Sequence, residues 1–159
     1  MLAEEHANCR QLLRDEKIND LHIRQYSSQD QKTVIELWRK CNLTRSWNNP
    51  EMDIERKLKV NPELFLVGVI GNRVVATVMG GYEGHRGWVN YLAVEPAYQK
   101  KGFGRQLMSE IEKQLQAMGC PKLNLQVRVD NHEAMVFYEK IGYKNDDVIG
   151  MGKRLIKDE

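Results

Sequence analysis

Apolar residues recur along this chain at two spacings, that of a strand and that of a helix. Leu21-His22-Ile23-Arg24-Gln25-Tyr26 has the period of a strand, whereas Val34, Ile35, Leu37, Trp38 and Cys41 recur at helical intervals. Thr44 to Asn49 then reads as a loop. Asn49-Pro50 reads as an N-cap followed by proline at the first helical position, opening a helix through about Lys59. Leu64 to Ile70 and Arg73 to Met79 are β-rich runs joined by Gly71-Asn72, a two-residue hairpin signal. Gly80 to Gly87 predicts a second turn, leading into a strand over Trp88 to Val94. Leu107, Met108, Ile111, Leu115 and Met118 form one helical stripe, which Gly119 and Pro121 stop. Leu123, Leu125, Val127 and Val129 alternate as another strand, and a helix beginning near Asn131 ends at Gly142. Tyr143 to Ile156 is expected to supply one or two last strands. The order β-α-α-β-β-β-α-β-α-β predicts an α/β fold of the α+β kind, a mixed sheet flanked by helices, in a single domain over 21–159.

The 159 residues suffice for one domain with a real core, and 42% hydrophobic with 29% charged content is that of a soluble globular protein. A net charge of +2 gives no general drive toward nucleic acid, so basic residues matter only where they cluster. No apolar run reaches membrane-spanning length. Residues 1–20 carry Glu4, Glu5, Arg10, Arg14, Asp15, Glu16 and Lys17, so they cannot be a secretory signal and read as a flexible extension. Cys9, Cys41 and Cys120 are isolated, odd in number and without metal-ligand spacing. They point to reduced thiols, a cytoplasmic setting and no metal.

The basic residues do cluster in Glu95-Pro96-Ala97-Tyr98-Gln99-Lys100-Lys101-Gly102-Phe103-Gly104-Arg105, between the strand Leu92-Ala93-Val94 and the helix of Leu107. A helix N-terminus offers unpaired N–H groups and the positive end of the macrodipole, so it accepts phosphate through backbone alone. Gly102 and Gly104 would let a ligand lie against the main chain, while Lys100, Lys101 and Arg105 add positive charge. An ordinary strand–turn–helix connection with a solvated basic turn is the alternative. A dinucleotide fingerprint is excluded, since Leu107 stands where a third glycine is needed and Lys122 to Val129 holds no acidic residue. The one Gly-Lys pair runs Gly152-Lys153-Arg154, which excludes a Walker-type loop.

Gln99-x-x-Gly102-x-Gly104 resembles the acyl-CoA pyrophosphate loop of the GNAT N-acyltransferase superfamily. Asn131-His132-Glu133-Ala134-Met135-Val136-Phe137-Tyr138-Glu139-Lys140-Ile141-Gly142-Tyr143 resembles its Asn-x-x-Ala-x-x-Phe-Tyr-x-x-x-Gly-Tyr signature. The likeness spans Leu21 to about Ile156. It implies a mostly antiparallel sheet with splayed central strands and a site for acetyl-CoA as co-substrate. Leu92, Ala93 and Val94 would pair with the pantetheine through main chain, and Gln99, Lys100, Lys101, Gly102, Phe103, Gly104 and Arg105 would hold the diphosphate. A main-chain donor polarising the thioester carbonyl is commonly worth ~3 kcal/mol of barrier. Asn131 matches a residue contacting the cofactor arm. Its other reading is helix capping, although Asp130 with Glu133 forms a capping box that would leave Asn131 free. Tyr138 would assist thiolate departure, even though Ala134 and Ile141 also place it on a buried helical stripe.

The general base is harder to place. Leu125-Gln126-Val127-Arg128 resembles the ribosomal-protein alanine acetyltransferases, which carry glutamate where Gln126 stands, and Gln126 cannot take a proton. Glu83, acting through water, or His85 could substitute, although both sit in a glycine-rich turn where polar residues are commonly just solvated. Trp47 either lines the acceptor pocket, with Gln126, or covers the sheet. Trp47 to Lys57, Met79 to Tyr82, Gly84 to Gly87 and Gly119 to Lys122 resemble a narrower bacterial group, the YpeA-type acetyltransferases. The expected function is acetyl transfer from acetyl-CoA to a primary amine of a protein N-terminus, a lysine or a small molecule, by direct attack in a ternary complex. A non-catalytic acyl-CoA sensor is the rival. The expected partners are acetyl-CoA and the amine acceptor, with room for a homodimer and without nucleic acid or membrane.

Overall fold

Residues 20–158 are those described by the structure, a computed structural model, so the expected extension over 1–20 falls almost entirely outside the described residues. The strands are β1 (His22–Gln25), β2 (Phe65–Ile70), β3 (Arg73–Tyr82), β4 (Gly87–Val94) and β5 (Leu123–Leu125). The helices are α1 (Gln31–Lys40), α2 (Pro50–Leu58), α3 (Phe103–Ala117) and α4 (His132–Lys140). The sheet runs β1-β2-β3-β4-β5 in space, antiparallel from β1 to β4 and parallel between β4 and β5.

Continuous apolar sequence marks the centre of the sheet. Every residue of β2, Phe65-Leu66-Val67-Gly68-Val69-Ile70, is buried, because helices cover both of its faces. On one face α1 and α2 bring Val34, Trp38 and Ile54 against Phe65, Val67 and Val69. On the other, Leu107, Met108, Ile111 and Leu115 of α3 pack on Leu66, Ala76, Val78 and Val89. Asn49 caps α2 as expected, its Oδ1 accepting the Glu51 and Met52 N–H groups.

Four expectations need correction. The turn predicted over Gly80 to Gly87 is shorter, since β3 continues through Gly80 and Gly81 to Tyr82. Gly80 serves close packing there: a Cβ on it would lie 3.1 Å from Ile111 Cδ1. The strand predicted through Val129 stops at Leu125, where pairing with β4 ends, and Val129 is exposed. The last strands expected over 143–156 do not form among the described residues. Gly150, Gly152 and a left-handed Asp147 interrupt the alternation, and Val148, Ile149, Met151 and Leu155 stay exposed. Polar anchors hold that segment instead, Lys122 to Asp146, Arg154 to Asn48 and Asp158 to Arg56. Finally, the residue capping α4 is Asn131 rather than Asp130, its Oδ1 accepting the Ala134 N–H at 3.1 Å.

Candidate active site

The strand-to-helix connection after β4 leaves its main-chain donors unspent. Among the described residues no N–H from Lys100 to Arg105 meets an acceptor within the chain, and α3 has no side-chain cap. Lys100 (φ +61) and Gly102 (φ +83) are left-handed, which curls the loop into the kind of concavity that backbone N–H groups use to hold anions. A Cβ on Gly102 would meet nothing within 4 Å, so the space beside it is open, and the left-handed φ accounts for glycine. Gly104 differs from expectation: a Cβ there would lie 3.1 Å from Phe137 Cζ, so its bareness admits α4 rather than a ligand. Phe103 is buried beside Val75 and Leu21, which leaves only its main chain facing the loop. Gln99 Nε2 donates to Val94 O at 3.0 Å and ties the loop to the strand end. Lys101 Nζ stands 5.5 Å from the Tyr98 ring centroid. At the base of the loop, buried Glu95 accepts from Lys40 Nζ at 2.9 Å and Arg73 Nη2 at 2.6 Å, joining α1, β3 and the loop. A shallow concavity of about 530 Å³ on the outer flank of α3, lined by Arg105, Ser109 and Ile141 among others, includes neither Tyr138 nor β4.

The strands part beside this loop. Parallel pairing ends at Val89↔Leu125, so Asn90 to Val94 present a main-chain edge that β5 does not cover. A bulge marks the same place. The β3–β4 register jumps between Thr77↔Ala93 and Met79↔Asn90, and Tyr91 adopts φ +52. The alternation changes phase there: Val89 belongs to the α3 face, Tyr91 to the α1 face, Leu92 to the α3 face and Ala93 to the α1 face. Sequence reasoning missed this bulge and the residues that hold it. Thr77 Oγ1 donates to Tyr91 O and accepts from Trp38 Nε1, both at 2.9 Å. The Tyr91 ring stacks on Trp38 at 3.9 Å, and its hydroxyl donates to Asp53 Oδ2 at 2.7 Å. No sequence signal marks the bulge, since an all-apolar run such as Tyr91-Leu92-Ala93-Val94 also suits a regular strand covered on both faces, as β2 is.

Tyr138 projects from α4 into the apolar cluster of α3 and β4, its ring edge-on to Phe137 at 5.1 Å and to Tyr143 at 5.7 Å. Its hydroxyl has no hydrogen-bond partner among the described residues, and burial pushes it up to about 12, so it is a protonated donor. Asn131 spends its oxygen on the cap and keeps its Nδ2 hydrogens. Burial pushes the Cys41 thiol up, and it donates to Val94 O at 3.3 Å, so it is no thiolate nucleophile.

On the α1 and α2 face, Trp47 is 51% exposed and Arg128 Cζ lies 5.9 Å from its ring centroid. Gln126 is exposed beside Gly150. The geometry does not bring Glu83 to these groups. Glu83 accepts the Arg86 N–H within its own exposed β3–β4 turn, and His85 is exposed in the same turn.

Comparison with known proteins agrees with this geometry. A model of the acetyltransferase (GNAT) family matches residues 18–143. An acetyltransferase of Yersinia pestis (strain Pestoides F) is 52% identical over 139 residues, 87% of this chain and 99% of the relative. An acetyltransferase of Sodalis glossinidius is 50% identical over 140 residues, again 87% and 99%. Among solved structures, Ard1 from Thermoplasma volcanium superposes with a TM-score of 0.70 at 26% identity, covering 77% of this chain and 81% of its own. The PaiA N-acetyltransferase from Thermoplasma acidophilum, solved in complex with coenzyme A, shares the fold with a TM-score of 0.66 at 23% identity, over 82% and 94%. No helix among the described residues is long and apolar enough to cross a membrane. With a matching family model over most of its length and relatives at half identity, the chain belongs to the GNAT acetyltransferase family, and it is an acyltransferase.

Proposed function

We propose that the protein moves an acetyl group from acetyl-CoA to a primary amine by direct attack in a ternary complex. The observation that carries this reading is the coincidence of a loop of free N–H groups with a β4 edge that β5 leaves uncovered. The free N–H groups of Lys100 to Arg105 suit a diphosphate, and the uncovered edge of β4 over Asn90 to Val94 suits an extended, amide-bearing arm. PaiA, solved with coenzyme A, and AAC(6')-Iy, solved with a bisubstrate analog containing CoA, share the fold.

A ligand anchored at the loop and running along that edge would carry its thioester toward Tyr138. A neutral amine nitrogen attacks the carbonyl carbon, the C–S bond breaks, and the sulfur leaves as thiolate. Tyr138 donates a hydrogen bond to that sulfur. Full proton transfer from a phenol near 12 to a thiol near 8.5 is uphill by about 5 kcal/mol, so the sulfur is stabilised rather than protonated by Tyr138. The proton shed by nitrogen passes to solvent, because Glu83 is held in its turn and Gln126 takes no proton. An α-amine, with pKa near 8, is partly neutral without help, whereas a lysine amine near 10.4 is not. The acceptor is therefore a low-pKa amine, and Trp47 lines its entry. Asn131 Nδ2 supplies a further donor toward the cofactor arm.

Calorimetry with acetyl-CoA, followed by thiol release across a panel of amines and peptides, tests the proposal. Binding together with Tyr138-dependent thiol release is expected. Binding without thiol release from any amine would favour an acyl-CoA sensor, and no heat with any coenzyme A species would end the proposal.

A further inference from the structure

We propose that the acceptor amine also carries a carboxylate, held by Arg128 and Arg154 beside Trp47; this rests on the acetyl-transfer reading above. The two guanidinium groups converge on one short loop. Arg128 Cζ lies 5.9 Å from the Trp47 ring centroid, and Arg154 Nη2 donates to Asn48 Oδ1 at 2.8 Å, so neighbouring residues each receive a cation. Neither arginine is ion-paired among the described residues. The carboxylates on this wall are already engaged. Asp53 accepts from Tyr91, Asn48 and Arg56, and Asp158 accepts from Arg56 and the Asn49 N–H. Arg56 meets two carboxylates and Asp158 also feels the Arg154 charge, yet Arg128 and Arg154 keep guanidinium N–H groups that can donate to an incoming anion. A planar guanidinium matches a carboxylate with two parallel hydrogen bonds, which a neutral polar group cannot reproduce.

Placement fits as well. Gln126 and Arg128 follow the end of β5 and are exposed, and Arg128 reaches the Trp47 indole in the loop between α1 and α2. Tyr138 packs in the cluster of α3 and β4, so on the acetyl-transfer reading the acceptor is taken to enter from the Trp47 side. The exposed indole of Trp47, beside Arg128, offers an apolar shelf for the acceptor's carbon skeleton.

The test uses matched product mimics, N-acetylphenylalanine and N-acetylphenylalaninamide, titrated calorimetrically into the full chain, both free and saturated with coenzyme A. The free acid is expected to bind at least ~10-fold more tightly than the amide, an advantage that corresponds to about 1.4 kcal/mol. Arg128→Gln and Arg154→Gln are each expected to remove that advantage with coenzyme A affinity unchanged, and Arg128→Lys to keep part of it. Equal affinities, a preference for the amide, no binding of either mimic, or an advantage that survives both glutamine variants would overturn the proposal. If the variants only lower the melting temperature and the preference persists, the arginines merely dock the C-terminal segment, and the proposal fails. Failure of coenzyme A itself to bind is read separately and counts against acetyl transfer, because the mimics are also titrated into the free protein.

Discussion

The hydroxyl of Thr77 donates a 2.9 Å hydrogen bond to the main-chain carbonyl of Tyr91, across the bulge where β4 parts from β5. Thr77 is fully buried and also receives the Trp38 indole N–H, so one small side chain satisfies two interior polar groups and fixes the strained backbone beside the site. Thr77→Val conserves shape but strands both partners. Leaving them unsatisfied is expected to cost about 2–4 kcal/mol of stability by denaturant unfolding. Thr77→Ser keeps the hydroxyl and should retain most of that stability. On the proposed function, the valine variant should also lose thiol-release activity more than acetyl-CoA affinity, because the bulge lies in β4 rather than in the loop from Lys100 to Arg105.

Gly104 and Phe137 make a second such contact, and it separates the two glycines of the loop. A methyl group on Gly104 would press on the Phe137 ring at 3.1 Å, so Gly104→Ala should destabilise the fold by about 1–3 kcal/mol. Phe137→Leu in the same chain should recover part of the loss. Gly102→Ala meets no neighbour but must hold φ +83, and is expected to cost about 1–2 kcal/mol with no rescue by Phe137→Leu. Thermal unfolding of the single and double variants distinguishes clash from backbone strain.

What could be read from the chain beforehand follows how local each feature is. The turn from Gln99 to Arg105 and the helix start after it were legible because they are set by local glycines and local sequence. The cap at Asn49, the stripe of α3 and the order of the elements as far as α4 were legible for the same reason. The bulge was not, since Tyr91 is held by Thr77 on another strand and Trp38 on a helix, partners no periodicity announces. Gly104 was misread because its neighbour, Phe137, is distant in sequence. The strands expected over 143–156 failed too. Asp147, Gly150 and Gly152 interrupt the alternation there, and polar anchors at Asp146, Arg154 and Asp158 hold the segment instead.

Glu95 joins Lys40 and Arg73 at the root of the loop between β4 and α3, with the carboxylate buried and both cations half exposed. Glu95→Gln removes the charge that holds these elements together, yet the amide fits the same space. Solvent screening of the two cations limits the expected loss to about 1–2 kcal/mol. Acetyl-CoA affinity should fall with it, since the loop leaves β4 at this residue. Unchanged affinity by calorimetry would show that the loop holds its shape without the clamp.

Tyr138 links stability to pH in a direction that can be worked out. Burial raises its phenol from 10 to about 12, so the folded state binds the proton more tightly than the unfolded chain does. The stabilisation is therefore complete below pH 10 and is lost as pH rises from 10 toward 12, amounting to about 2–3 kcal/mol over that window. Tyr91 and Tyr143 shift in the same direction through burial and their bonds to Asp53 and Glu112, and they add to the alkaline loss. Tyr138→Phe should flatten part of this alkaline decline without changing stability near neutrality by more than about 1 kcal/mol. If Tyr138 donates to the departing sulfur as proposed, the same change should lower turnover by roughly 100-fold with acetyl-CoA affinity unchanged. Phenolate absorbance followed against pH, beside single-turnover thiol release, checks both halves. A variant that turns over as fast as the parent would remove Tyr138 from the chemistry and leave it a packing residue of α4.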